Sequence, residues 1–135
     1  MPSPMPTALR KVLVVEDNHD IRTIVKAALE MVGGLEVRAC ESGTEALDAI
    51  AEFDPQLILL DVMMPDLDGP GVLDRLRQRP ETAALPVVFL TAKAAPSEVQ
   101  RLRALGALDV LTKPFDPLLL HEQVKAIWDT AFGTS

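Results

Sequence analysis

The sequence is poor in cysteine, in aromatic residues and in long apolar runs. A single cysteine, Cys40, excludes an internal disulfide and is compatible with a reducing compartment. Tyrosine is absent, and aromatic residues make up only 4% of the chain. No run of about 18 apolar residues occurs, and the first residues lack the apolar core of a signal peptide. We therefore expect a cytoplasmic protein without a membrane segment, in which Cys40 is a packing residue rather than a reactive thiol.

Positive charge is also scarce. Thirteen Lys and Arg residues stand against 20 Asp and Glu residues, which gives a formal net charge of −7. Residues 41–68 contain eight acidic residues and no basic one. This balance argues against direct DNA binding, which requires a basic face. Since 48% of the 135 residues are hydrophobic, the chain is predicted to fold as one domain with a sizeable core.

Short apolar runs alternate with segments of helical periodicity. Residues 12–15 and 57–60 are entirely apolar, as expected of strands that are buried on both faces. Further strands are predicted at residues 35–40, 86–90 and 107–112. Helices are predicted at residues 21–32, 44–53, 70–79 and 96–105, and a last one begins at Pro117 with Asp116 as its N-cap. Five successive β-α units predict a doubly wound, five-stranded parallel sheet with helices on both faces.

Polar side chains are predicted at the carboxyl ends of four strands, where functional groups collect in sheets of this class. The positions hold Glu16 and Asp17, Asp61, Thr91, and Lys113. Three carboxylates in one crevice favour a hard divalent cation such as Mg²⁺. A lysine and a hydroxyl at the same edge suit the oxygens of a transferred phosphoryl group, and a carboxylate can accept that group. Taken singly, each residue has an ordinary structural role, and only their joint placement at four strand ends indicates a site.

Four motifs in this order resemble the receiver domains of two-component response regulators: Val12 to Asn18, Leu59 to Gly69, Phe89 to Ala92, and Lys113 to Phe115. The resemblance covers nearly the whole chain. It implies a flavodoxin-like sheet with strand order 2-1-3-4-5, which is the strand order of chemotaxis receivers. Residues 10–132 would form the receiver, flanked by a flexible N-terminal tail at residues 1–9 and a short C-terminal tail at residues 133–135.

The resemblance also assigns roles. Asp61 would accept a phosphoryl group from a phosphohistidine on a histidine kinase or histidine phosphotransfer protein. Asp17, Asp61 and the carbonyl of Met63 would bind Mg²⁺, with Glu16 acting mainly through water. Lys113 would pair with Asp61, Thr91 would contact the phosphoryl group, and the Lys113–Pro114 bond would be cis. The chain would be a signalling phosphoacceptor rather than an enzyme acting on other substrates, and it would switch binding to a downstream protein.

One departure from the family pattern concerns the switch. Most receivers carry Tyr or Phe shortly before the lysine of the last strand, and the matching residue here is Val110. An aromatic switch at that position is therefore excluded, and a smaller or differently shaped rearrangement around Thr91, Lys93 and the helix after Pro96 is predicted.

Several other functions remain to be weighed. A phosphatase similar to the haloacid dehalogenases would need an Asp where Met63 stands, and a flavin mononucleotide module would not place acidic residues after its first strand. A phosphorylation-independent binding module stays open, as does a fragment of a hybrid histidine kinase or of a transcription factor. The initial Met and the short leading segment favour a stand-alone receiver.

Overall fold

The computed structural model describes residues 8–93 and 95–133. The strands are β1 (Lys11–Val15), β2 (Glu36–Cys40), β3 (Leu57–Asp61), β4 (Val87–Thr91) and β5 (Asp109–Thr112). The helices are α1 (His19–Ala27), α2 (Gly43–Phe53), α3 (Gly69–Gln78), α4 (Pro96–Ala104) and α5 (Leu120–Phe132). Within the described residues, no helix combines the length and the apolar character that a membrane crossing needs.

All strand pairs are parallel, and the strand order is β2-β1-β3-β4-β5. One face of the sheet packs against α2, α3 and α4, around Phe89 and Leu13. The other face packs against α1 and α5, where Val25, Leu120 and Trp128 meet the strands. The predicted fold is confirmed, and because every strand is parallel, all the strand carboxyl ends lie along one edge.

The first helix departs from its predicted form. Regular α-helix ends at Ala27, and residues Ala28–Val32 are wound as a π-helix that ends at Gly33. Ile24 and Val32 share the apolar periodicity of this segment, yet both are nearly half exposed. The apolar residues of α1 and the π-helix therefore cover a wider face than the one that is buried, and some of them face outward.

The predicted start of the last helix is wrong. Asp116 does not cap α5; its carboxylate accepts a hydrogen bond from the amide of Leu118, and its carbonyl accepts from Leu119 and Leu120. A turn therefore precedes α5, which begins at Leu120. The sequence signal of an acidic cap followed by proline is satisfied here by a turn, which uses the same side-chain-to-backbone bond.

His121 is more enclosed than a surface helix residue. Its Nδ1 atom is buried and has no hydrogen-bond partner among the described residues. A Cβ atom placed on Gly33 would lie 2.6 Å from the Cβ atom of His121. Glycine at position 33 therefore allows α5 to pack closely on the end of the π-helix, and this approach covers the imidazole.

The residues just before β1 contact the folded domain, although the sequence placed them partly in a tail. Leu9, placed by sequence in the N-terminal tail, is buried in the core, and the carbonyl of Ala8 accepts a hydrogen bond from Gln56. The remaining residues of that tail and residues 134–135 lie outside the described parts of the chain.

Cys40 is fully buried, and burial together with the charge of Glu45 raises the pKa of its thiol to about 11. Its interpretation as a packing residue is confirmed.

Candidate functional site

The site lies at the carboxyl edge of the sheet. Glu16 follows β1, Asp61 ends β3, Thr91 ends β4 and Lys113 follows β5. Because β3 lies between β1 and β4 in the sheet, Asp61 is central to this group. The crevice predicted from the strand pattern therefore contains the predicted residue types.

Three carboxylates converge at this edge. Each of Glu16, Asp17 and Asp61 has a carboxylate oxygen within 4.8 Å of the other two. Glu16 and Asp61 are buried, whereas Asp17 is exposed at the mouth of the site. Since buried carboxylates close to one another repel, the cluster requires compensating positive charge.

Lys113 supplies part of that charge. Its Nζ atom donates to Oε1 of Glu16 at 2.7 Å and to Oδ1 of Asp61 at 3.2 Å. Burial alone would lower the pKa of the Lys113 ammonium, but its hydrogen bond to Glu16 and the charges of Asp61 and Glu16 outweigh this effect and raise the pKa. The ammonium is therefore charged at neutral pH, and its shorter contact is with Glu16 rather than with the expected partner, Asp61. Glu16 contacts Lys113 directly, a role that the sequence did not indicate.

Mg²⁺ fits the remaining charge and spacing. One ammonium offsets one of the three carboxylates, and the rest of the negative charge is open to a divalent cation. The three carboxylate oxygens lie within 4.8 Å of one another, close enough for Glu16, Asp17 and Asp61 to hold one such cation after small shifts. The side chain of Met63 is exposed, and its thioether is a poor ligand for a hard cation, so only its backbone carbonyl suits the assigned role.

Thr91 is buried at the end of β4, and its hydroxyl oxygen accepts a hydrogen bond from the amide of Lys93 at 3.1 Å. The hydroxyl is thus held by the loop that leads to α4. A hydroxyl that turned towards a group on Asp61 would leave this amide without its acceptor, and the loop would have to adjust.

The loop after Asp61 is shaped by two acidic residues outside the metal cluster. Asp68 caps α3, because its Oδ1 atom accepts from the amide of Gly71 at 2.8 Å. Asp66 is exposed and has a left-handed backbone, with φ of 66°. A Cβ atom on Gly69 would lie 2.6 Å from the carbonyl oxygen of Asp61, so glycine permits α3 to begin directly against β3. Asp68 therefore has a structural role at the start of α3.

Two residues that contact the β1–α1 loop, one in it and one on α1, were not found by sequence reasoning. Asn18 caps α1 through its side chain, and its amide donates to Oε2 of Glu16 at 3.3 Å. Arg22 donates from Nη1 to the carbonyl oxygens of Glu16 and Asp17. An asparagine before a helix is a cap signal that could have been recognised. No sequence pattern indicated the Arg22 contacts. His19 is exposed beside Arg22.

The backbone after the lysine has the expected form. The Lys113–Pro114 peptide bond is cis, as the resemblance implied. Ile21 and Ile24 of α1 lie across an apolar groove from Pro114 and Phe115, and Lys113 lines the same groove. The acidic site therefore has an apolar border on the side of α1.

Comparisons with known proteins agree with this arrangement. A family model described as the response regulator receiver domain matches residues 12–125. The phosphate regulon transcriptional regulatory protein PhoB of Rhizobium meliloti is 41% identical over 119 residues, which are 88% of this chain and 52% of that protein. This chain spans about half the length of the curated relatives that it matches.

Two solved structures match this chain over nearly their full length. The chemotaxis protein CheY4 of Vibrio cholerae superposes with a TM-score of 0.81 at 32% identity, over 89% of this chain and 99% of that one. The signal receiver domain of a histidine kinase from Syntrophus aciditrophicus gives a TM-score of 0.78 at 31% identity, over 93% and 95% of the two chains. The matched span, the strand order and the acidic cluster at the sheet edge together show that this chain belongs to the receiver domain family of response regulators.

Proposed function

We propose that Asp61 accepts a phosphoryl group from a phosphohistidine and that the resulting acyl phosphate switches binding to a downstream protein. The observation that carries this proposal is the Lys113 ammonium, which contacts both Asp61 and Glu16 inside an acidic crevice. A carboxylate oxygen of Asp61 attacks phosphorus, the phosphorus–nitrogen bond breaks, and the histidine nitrogen leaves with the electron pair and takes up a proton. Lys113 stays beside the oxygens on which negative charge accumulates.

Glu16, Asp17, Asp61 and the Met63 carbonyl would hold Mg²⁺ in this proposal. When bound, the cation supplies charge that offsets the carboxylates and the phosphoryl oxygens. Glu16 would remain paired with Lys113, in accord with a role through water rather than direct ligation. The chain would catalyse its own phosphoryl transfer and its own hydrolysis of the acyl phosphate, because the reacting carboxylate and the charged groups around it belong to one domain.

The switch would run through Thr91. If its hydroxyl bonds a phosphoryl oxygen, the Lys93 amide loses its acceptor, and the loop before α4 shifts. Helix α4 is suited to respond, since Leu102 is its buried residue and no side chain caps its start. Val110 on β5 is half-buried and offers no aromatic ring that could couple to Thr91.

The phosphodonor would be a histidine kinase or a phosphotransfer protein. A macromolecular donor must cover the rim of the site to bring its histidine to Asp61. The groove between α1 and the loop after β5 lies at that rim, and exposed apolar side chains continue it along the π-helix. Because the net charge is −7, a protein target suits this domain better than DNA, although several relatives are transcriptional regulators. A cytoplasmic location belongs to the same proposal and accords with the single free thiol.

Relatives of this domain occur in more than one kind of protein. Both a transcriptional regulator and a histidine kinase contain the same domain, so a longer parent protein and a stand-alone receiver fit the proposed chemistry equally. A binding module that needs no phosphorylation is disfavoured by the complete set of Asp61, Thr91 and Lys113.

The test of phosphoryl acceptance uses a small donor. Incubation with phosphoramidate and Mg²⁺ is expected to add one phosphoryl group to the intact protein, as measured by mass spectrometry. Chelation of the metal with EDTA should prevent the addition, because the carboxylates would then repel the donor. Equal incorporation with EDTA would exclude the metal from the proposal, and no incorporation under either condition would favour the binding module.

The test of the docking side uses a phosphorylated histidine domain as donor. Ile24→Glu should slow transfer from that donor by about tenfold or more, because it places a charge in an apolar contact. Phosphorylation by phosphoramidate should be unchanged. Leu105→Glu is the matched control, since Leu105 and Ile24 are both 46% exposed and Leu105 lies beyond α4. Equal slowing by both variants, or by neither, would contradict docking at the α1 groove.

A further inference from the structure

Arg22 joins helix α1 to the loop that carries two of the acidic residues. Its Nη1 atom donates to the carbonyl oxygen of Glu16 at 2.9 Å and to that of Asp17 at 3.3 Å. Its Nη2 atom lies 3.2 Å from Nδ1 of His19. The side chain is only 16% exposed, so the guanidinium lies along the loop rather than in solvent. One arginine therefore bonds to two consecutive peptide units.

Those peptide units belong to Glu16 and Asp17, so their position determines where the two carboxylate side chains leave the backbone. Glu16 has further restraints: its amide donates to the carbonyl of Cys40, its Oε1 atom accepts from Lys113, and its side chain is buried. Asp17 is exposed, so packing restrains it weakly. The bond from Arg22 to the Asp17 carbonyl fixes the backbone at the residue that packing restrains least.

The positive charge of Arg22 opposes metal binding, whereas its contacts with the loop backbone favour it. A guanidinium near the cluster repels a cation, so charge alone would make Arg22 unfavourable for metal binding. Two of its partners are carbonyl oxygens, and its Nη2 atom also lies 4.0 Å from Oε2 of Glu41. The planar guanidinium holds its N–H groups in fixed directions, whereas the ammonium of a lysine lies on a flexible stem. The geometric contribution and the electrostatic one can therefore be separated by a substitution that keeps the charge.

We propose that Arg22 is a positioning residue, which holds the β1–α1 loop so that Glu16, Asp17 and Asp61 converge on one divalent cation. The inference rests on the proposed metal site and adds a residue outside the acidic cluster to it. Arg22 acts through the backbone and touches neither the cation nor the phosphoryl group. Residues that orient metal ligands commonly change affinity by about 10- to 100-fold when they are replaced.

The experiment measures Mg²⁺ binding by calorimetry, without a phosphodonor, for the wild type, Arg22→Lys and Arg38→Lys. Arg22→Lys keeps the charge and loses the double contact, so its Mg²⁺ affinity should fall about tenfold. Arg38 lies on β2 and pairs with Glu52 of α2, so Arg38→Lys is the matched control and should leave the affinity unchanged. Thermal unfolding without metal establishes that both variants fold.

A second measurement separates positioning from a general structural role. With phosphoramidate as donor, Arg22→Lys should need about tenfold more Mg²⁺ for half-maximal phosphorylation, while the rate at saturating Mg²⁺ stays close to that of the wild type. A variant that unfolds more easily but binds Mg²⁺ with wild-type affinity would overturn the inference about Arg22. A wild-type protein that binds no Mg²⁺ would instead overturn the proposed metal site.

Discussion

Asp61→Asn is expected to abolish phosphoryl incorporation from phosphoramidate in the presence of Mg²⁺. An amide oxygen is a poor nucleophile compared with a carboxylate, and it would not form a stable acyl phosphate. The variant should still fold, because the substitution removes one of three neighbouring negative charges, and Lys113 keeps its 2.7 Å contact with Glu16. The measurement is intact mass at several times of incubation.

Asp66→Asn provides the control for this experiment. Asp66 is an exposed acidic residue in the loop that follows Asp61, and asparagine tolerates its left-handed backbone. This variant should incorporate phosphoryl as the wild type does. Undiminished incorporation in Asp61→Asn would mean that another residue accepts the group.

Lys113→Met is expected to slow phosphorylation by about a hundredfold or more, the effect typical of removing one preorganised charged donor. The side chain of methionine has a similar length, so the loss would be that of the ammonium and of its contacts with Asp61 and Glu16. Without that ammonium the two buried carboxylates face each other uncompensated, and thermal unfolding without Mg²⁺ should occur at a lower temperature. Addition of Mg²⁺ should restore more stability to this variant than to the wild type.

The pH dependence of the lysine effect follows from its raised pKa. The Lys113 ammonium loses its proton only above its ordinary range, because Glu16 and Asp61 favour the charged form. The ratio of wild-type to Lys113→Met rates should therefore stay constant from about pH 6 to about pH 9. Lys26→Met, which removes a half-exposed lysine paired with Glu30, should leave the rate unchanged. Similar rates for Lys113→Met and the wild type would contradict the role of Lys113.

The sheet and the place of the site could be predicted because both depend on local patterns. Residues 12–15 and 57–60 are apolar without interruption and end in acidic residues, and parallel pairing then brings those ends to one edge. The wrong or incomplete predictions concern competition between local signals and packing. Asp116 forms a turn instead of a cap, and the close approach of α5 at Gly33 covers His121.

Side-chain pairing within the site could not be predicted from these patterns. Lys113 and Glu16 are far apart in sequence, and their 2.7 Å contact depends on how two loops meet after the strands end. The bonds from Arg22 to two carbonyls likewise depend on the path of the β1–α1 loop. Such contacts leave no periodic signal, since each one depends on the three-dimensional course of the backbone.

The central claim is tested most directly by locating the phosphoryl group on the protein. The chain is treated with phosphoramidate and Mg²⁺, the acyl phosphate is reduced with borohydride, and peptides are mapped by mass spectrometry. The account predicts a single reduced residue, at Asp61, that is missing when EDTA is present during the treatment. A phosphoryl group located on Asp17, His19 or any other residue, with Asp61 unmodified, would contradict it.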